Sequence, residues 1–493
     1  MSNRGLSGGQ YRPLSEDQIR TIHEASLTIL EKTGFTYMSG LEQTIEMLAK
    51  AGARVDHGLA RVFFPRDLVM AEVGKAPEQV ILYSRDGHND LDLGEDRVYL
   101  GTGGAAPKVL DPETGQARPS TLEDLYRFGL LVDQLRNIHF FLRPCIPTDI
   151  PVSAYDVNVF YACLKSTAKH VMIGVNDPHG FHEVLDMASL VAGSLVELQR
   201  RPFMSIVSCF AISPLRFCTQ STSIMQEACR YFIPVALSSA PLTGSTSPIT
   251  MAGTLALAHA EQLAGITVCQ LTRPGAPLLY GGLPGTANLR TMGLQCGSVE
   301  MGMMNAAIHQ LAQHIKVPNY ANAGYSDAKV PDAQAAWEAT MSAVLAGMGG
   351  SNYIHHAAGM LDSALTVCLE QFVMNDEIIG KTCKILKGIE VDPEHLAVEV
   401  IDAVGPGGNF MTSPHTLSYL YTELFQGNGV TDSSTRDKWE KSGSLDAWKR
   451  ARQIAENLIA NARQSHLRED VDRTIRKRFD ILLSQERSGG KDR

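Results

Sequence analysis

His170-Val-Met-Ile-Gly-Val175, Met204-Ser-Ile-Val-Ser-Cys209 and Ile233-Pro-Val-Ala-Leu-Ser238 are three short runs that are apolar over most of their length and do not alternate strictly. A strand with one wet face alternates apolar and polar residues. A continuous run reads as a strand buried on both faces, as in a parallel sheet covered by helices. Five more such runs occur, at Val98–Thr102, Ile138–Arg143, Pro277–Gly281, Pro318–Ala323 and Ser351–His355. Their starts fall 29 to 44 residues apart, room for one strand, one helix and two loops.

Helical signals fill the gaps. Ser120-Thr-Leu-Glu123 reads as a capping box, and Asp177-Pro178, Ser247-Pro248 and Pro331-Asp332 as helix starts. The order predicts an α/β chain, with a (β/α)8 barrel of the TIM type over residues 97–360. Largely helical extensions are expected at 1–96 and 361–493. The first opens with a helix capped by Ser15 and ends in a hairpin-like stretch near Val80–Asp92. In the second, Asp392-Pro393 caps a helix that stops at Gly405. An open doubly wound sheet is the alternative. It would want G-x-G-x-x-G after a strand, and Gly101-Thr-Gly103-Gly104 is too short a match.

The 493 residues are 44% hydrophobic and 20% charged, as in ordinary globular proteins, which excludes a disordered chain or a small disulfide scaffold. A net charge of −9 argues against a general nucleic-acid binder. Neither a signal peptide nor a membrane span is expected, because the most apolar stretch, 248–271, is interrupted by His259, Glu261 and Gln262. Nine cysteines without C-x-x-C or zinc spacing read as buried thiols in a reducing, cytoplasmic setting, and no metal is expected. Ser488–Arg493 reads as a disordered end.

In a (β/α) barrel the chemistry gathers at the carboxyl ends of the strands. That rule selects His355, His356 and Glu300 as candidate catalytic groups. Of the two adjacent histidines, strand alternation allows one to face the barrel mouth. Phe210, Tyr280, Tyr325 and Tyr353 are candidate aromatic faces for a cation, with Asp327 and Arg143 as charged partners. Gly103, Gly104, Gly281 and Gly282 would let a bulky partner come close. Lys329 could serve as the amine of a barrel lyase, although it lies past the strand end beside Asp327. No paired carboxylates and no Ser-His-Asp set emerge.

Several of these stretches, taken together, resemble the trimethylamine methyltransferase family and, within it, the branch without pyrrolysine. They are Ile22-His-Glu-Ala-Ser-Leu27 with Leu30-Glu31, Tyr99-Leu-Gly-Thr-Gly-Gly104, and Gly281-Gly-Leu-Pro-Gly285. Gly324-Tyr-Ser-Asp327 with Asp332-Ala-Gln334, and His355-His-Ala-Ala-Gly359, complete the set. The resemblance implies a barrel that moves a methyl group from a methylated amine to the cobalt of a separate corrinoid protein. Standard residues fill Tyr325–Gln334, where the family's pyrrolysine aligns, which points to a quaternary amine such as glycine betaine, proline betaine or carnitine. The corrinoid (cobalamin) would be supplied in trans by that partner, and the glycine-rich loops would face it. Consistent with this, the chain has no D-x-H-x-x-G corrinoid motif. A quaternary ammonium leaves as a neutral amine, so the transfer needs positioning and dryness rather than an acid–base pair. The terminal helices suggest a homo-oligomer. Two other readings stay open: a betaine sensor with the same pocket, and the Lys329 lyase.

Overall fold

The computed structural model describes residues 5–291 and 293–484. The predicted end segment Ser488–Arg493 lies outside the described residues. Each of the eight apolar runs contains a strand. In chain order these are β1 (Arg97–Thr102), β2 (Phe141–Leu142), β3 (Val171–Ile173), β4 (Met204–Ser208), β5 (Val235–Ser239), β6 (Leu278–Gly282), β7 (Tyr320–Asn322) and β8 (Tyr353–Ala358). Strands β2 to β6 form one parallel sheet in sequence order, and β7, β8 and β1 form another, with β8 between the other two. The two seams are closed by hydrogen bonds. Tyr280 pairs with Asn319 and its N–H donates to Pro318 O at 2.8 Å, while His139 N–H donates to Leu100 O at 2.9 Å. All eight strands therefore make one ring, as the spacing predicts.

A helix follows each strand: α1 (Leu122–Gln134), α2 (Tyr155–Ser166), α3 (Pro178–Ala192), α4 (Thr219–Arg230), α5 (Met251–Thr272), α6 (Val299–His314), α7 (Ala333–Gly349) and α8 (Leu369–Lys387). The last lies past residue 360, so the strand–helix repeat runs beyond that boundary. Asp177 and Asp332 cap α3 and α7 as read from the sequence. The capping box of α1 is Thr121 with Asp124, one residue on from the expected pair. Ser247 does not cap α5. Thr250 occupies that place, and the Ser247 hydroxyl bonds the Thr254 hydroxyl at 2.8 Å instead. Helix α5 is buried almost all round, which explains why its apolar residues are spread around the whole circumference. No helix among the described residues is long and apolar enough to cross a membrane.

The extensions fix the barrel's ends. The first helix, Glu16–Lys32, is opened by a complete Ser15–Gln18 capping box and packs along α5. The hairpin Val80–Leu82 with Leu91–Leu93 plugs the amino-terminal end of the barrel. Its four leucine and valine side chains join Tyr99, Phe140, Met172, Ala236, Leu279, Tyr320 and Tyr353 in one interior cluster. At the other end, hairpins grow from the strand–helix loops. One small sheet joins Leu242–Thr243, Gly285–Asn288 and Gly293–Gln295, and another joins Met360–Leu361, Thr366–Val367, Lys108–Leu110 and Ala117–Pro119. The segment after α8 is different. Short helices Pro393–Leu396, Val398–Val404 and Pro414–Glu423 contain no buried residue, and Ile389, Val391, Met411, Leu417 and Tyr421 are exposed.

Candidate active site at the barrel mouth

Alternation along each strand decides which side chains reach the interior. On β1 these are Tyr99 and Gly101, followed by Gly103 just past the strand end. A Cβ on Gly101 would lie 2.5 Å from the Phe140 ring, and one on Gly103 2.8 Å from Leu142. On β8 they are Tyr353 and His355. The result is an aromatic stack across the upper barrel. Phe140 lies on Tyr353 with centroids 3.6 Å apart, Tyr353 faces Tyr320 at 5.7 Å, and Tyr320 lies on His355 at 4.1 Å and 12°.

His355 is fixed from behind. Its Nδ1–H donates to Ala321 O at 2.6 Å, which leaves Nε2 as the lone-pair nitrogen. Burial, with a lesser contribution from His356, holds its pKa well below the usual histidine range. The alternation rule fails at the next residue. Between Ile354, paired with Leu100, and Ala358, paired with Thr102, the register slips, and His356 adopts φ +62°. This bulge turns His356 back toward the mouth, so its ring lies 3.9 Å from His355 and 4.7 Å from Tyr325. Both histidines therefore stand at the mouth, not one. Burial drives His356 down to about 3, and its Nδ1 is buried with no partner among the described residues. Tyr320, Tyr325 and Tyr353 are pushed well above the usual tyrosine range by burial.

Above the stack the barrel is open. Gly104, Arg143, Gly174, Val207 and His356 keep partial solvent contact, and Ala105, Cys209 and Ala240 are exposed, among neighbours that are otherwise buried. Cys209 is thus an exception to the expectation of buried thiols. All nine cysteines are free. Cys209 follows Ser205 and Val207 on the interior side of β4, where desolvation pushes its thiol up.

Other sequence candidates lie elsewhere. Tyr280 points out of the barrel, because Leu279 and Gly281 point in. Its hydroxyl bonds His259 Nδ1 at 2.8 Å, and His259 Nε2 bonds His23 Nδ1 at 2.8 Å. Phe210 is fully buried against Gly265 of α5 and Phe217, after the chain has turned off β4. Glu300 is exposed on the first turn of α6. Asp327 braces a loop by accepting from the Cys296 and Gly297 N–H groups at 2.8 and 3.1 Å and from the Ser363 hydroxyl at 2.7 Å. Lys329 is exposed and held by Asp327 O and Asp362, which removes the lyase reading, since a Schiff-base lysine needs a desolvated amine. Gly282 faces α6, where a Cβ would meet Ile308. Gly103, Gly104 and Gly281 do line the interior or the rim, but their lack of a side chain serves the barrel's own packing. A Cβ on Gly281 would lie 1.9 Å from Leu237 O, and one on Gly104 2.5 Å from Met360 Cε. Sequence reading missed Phe140 and Tyr320. Both sit inside the recognised strands at positions whose parity matches Tyr353 and His355.

A surface cleft of about 270 Å³ lined by Arg12, Asp96, His309 and Gly349 opens at the amino-terminal end of the barrel, away from the mouth. Glu390, Asp392 and His395 cluster on the exposed arm, where Asp392 caps a helix and bonds His395.

An eight-stranded (β/α) barrel with a polar, partly open pit at its strand carboxyl ends defines the general class of barrel enzymes. Sequence comparison narrows it. The family model for trimethylamine methyltransferase matches residues 5–481, and the chain belongs to this family of methyltransferases. It is similar to the trimethylamine methyltransferase of Desulfitobacterium hafniense strain DSM 10664 / DCB-2, at 35% identity over 96% of this chain and 93% of that one. It is also similar to the glycine betaine methyltransferase of Desulfitobacterium hafniense strain Y51, at 30% identity over 94% of this chain and 95% of that one. Among solved structures, the monomethylamine methyltransferase of Methanosarcina barkeri covers 92% of this chain and 95% of its own, at 12% identity and a TM-score of 0.47.

Proposed function

We propose that this methyltransferase moves a methyl group from a quaternary amine, glycine betaine or a related betaine, to the Co(I) corrinoid of a separate protein. One observation carries the reading: the groups stacked at the mouth are uncharged near neutral pH. His355 and His356 are held far below the range in which they would be protonated, and Tyr325 and the stacked Tyr320 and Tyr353 beneath them far above that in which they would ionise. Such a set supplies no general acid, and a quaternary ammonium asks for none, because its departing amine is neutral. Neutral trimethylamine would have to gain a proton first, because its leaving group would otherwise be a dimethylamide anion, and this set supplies no acid to give it one.

The residues here orient and exclude water. The stacked faces of Tyr320 and His355 bound the pit from one side and form a low-dielectric wall for the methyl-bearing end. We assign His355 and His356 as positioning groups at the reacting end. The corrinoid, when its carrier docks, supplies the nucleophile. The mouth suits a flat macrocycle: at Gly104, Ala105 and Ala240 the accessible rim carries no side chain longer than Cβ. Nine unbridged cysteines suit a reducing compartment, and we place the reaction in the cytoplasm.

The test is anaerobic mixing with Co(I) cobalamin, or the Co(I) form of a cognate corrinoid protein, and donors in turn. Loss of the Co(I) absorbance with a betaine and not with trimethylamine is expected. Ligand binding without any loss would replace the enzyme reading with the sensor reading.

A further inference from the structure

We propose that Arg143 holds an anionic end of the substrate, so that the enzyme selects methylated amines that also carry a carboxylate over donors that carry only the ammonium. This rests on the methyl-transfer reading and specifies its substrate class. Arg143 follows β2 directly, and its N–H still bonds Met172 O across to β3, at 3.4 Å. Its guanidinium then reaches over the end of β3. A Cβ on Gly174, an interior position, would lie 3.4 Å from Nη2 and 3.6 Å from Val207 Cγ1. Glycine there leaves room for the guanidinium beside the pit. Arg143 also makes the buried Tyr320 and the accessible Cys209 easier to ionise, so its charge is felt across the same cavity.

The guanidinium lacks what buried cations have. Nε and Nη1 are both buried, and neither has a hydrogen-bond partner among the described residues. No carboxylate among the described residues lies within ion-pair distance. The nearby acid, Asp156, spends Oδ2 on the Asn176 N–H at 3.0 Å. Its Oδ1 is itself without a partner, and burial has pushed its carboxyl up to about 6. The Tyr155 hydroxyl beside it is a third buried, unpaired group. A guanidinium with two nitrogens buried and unpaired and no anion beside it is costly, and its planar donors match a carboxylate. A zwitterion would satisfy the site, with its carboxylate on Arg143 and its ammonium toward the uncharged rings of Tyr320 and His355. An ammonium alone would place a second positive charge beside a buried one.

Binding by the full chain tests this without cobalt. The probes are 3,3-dimethylbutanoate, which has the shape and carboxylate of glycine betaine but no transferable methyl, and 3,3-dimethylbutan-1-ol, its uncharged counterpart. Glycine betaine, proline betaine, carnitine and choline complete the calorimetric panel. The carboxylates are expected to bind wild type about tenfold or more tightly than choline and the alcohol. Arg143→Gln should erase that preference, and Arg143→Lys should restore part of it. Equal binding of betaine and choline by wild type, no binding by any probe, or an unchanged preference in Arg143→Gln would overturn the proposal. The wild-type comparison stands even if a variant fails to fold. Carboxylate binding through Arg143 without methyl transfer from any donor would keep the anchor and remove the methyl-transfer reading. Equal transfer from choline and betaine would do the reverse.

Discussion

Lowering the pH from 7 to 5 should destabilise the fold through histidines that are buried uncharged. His170 is fully buried at the amino-terminal end of the barrel, where Nδ1–H donates to Tyr83 O at 2.9 Å and Nε2 meets the Ser205 hydroxyl at 2.8 Å. His23 is buried between the first helix and α5, bonded to His259. Desolvation holds each at about 4, below the ordinary value of 6.5. The folded pKa is depressed, so the unfolded chain takes up protons first. Stability is lost as pH falls below 6.5, and the loss levels off once the folded state also protonates, near pH 4. At pH 5 the differential uptake is about 2 kcal/mol for each histidine, or about 4 kcal/mol for the pair. That is a large share of a typical folding free energy of about 5–15 kcal/mol. Urea unfolding followed by tryptophan fluorescence and circular dichroism at pH 7, 6 and 5 measures it. The midpoint should fall steeply across this range, with an unchanged slope. His170→Asn should start less stable and lose about 2 kcal/mol less between pH 7 and 5. A midpoint that stays flat to pH 5 would refute the burial argument for both residues.

Three further outcomes follow from the placement of single groups. Tyr280→Phe removes the partner of His259 Nδ1 outside the barrel, and should cost about 1–3 kcal/mol of stability in the same unfolding assay while leaving the KM for the methyl donor unchanged. Glu300→Gln and Lys329→Ala should transfer methyl groups at the wild-type rate, because both side chains are exposed away from the pit; a hundredfold loss of kcat in either would restore it to the site. The apolar side chains exposed on 389–424 should be covered by a second copy of the chain, so Ile389→Asp with Leu417→Asp should lower the mass measured by analytical ultracentrifugation, and a wild type that sediments as a monomer would contradict this.

The strands were legible because burial on both faces leaves mainly apolar runs without strict alternation, a signature that survives the asparagines of Pro318–Ala323 and Ser351–His355. The facing of side chains was less legible. Tyr280 and Tyr353 look alike in the sequence, one near the end of β6 and one at the start of β8. Only the parity set by Gly281 and His355 separates them, and following that parity would also have brought Phe140 and Tyr320 forward. His356 could not be read this way, since the bulge that turns it arises from the pairing of β8 with β1 and has no local signature. Phe210 was placed at a strand end correctly, but the chain turns away from the mouth two residues earlier. Arg143 was recognisable as a charge at a strand end. Its lack of a partner is a property of three-dimensional packing and could only be seen in the structure.

The most direct test of the account is the anaerobic donor panel with the wild-type chain and Co(I) cobalamin or its carrier protein. The account predicts that the Co(I) absorbance disappears with a carboxylate-bearing quaternary amine and persists with trimethylamine. Rapid loss with trimethylamine, and none with any betaine, would contradict it.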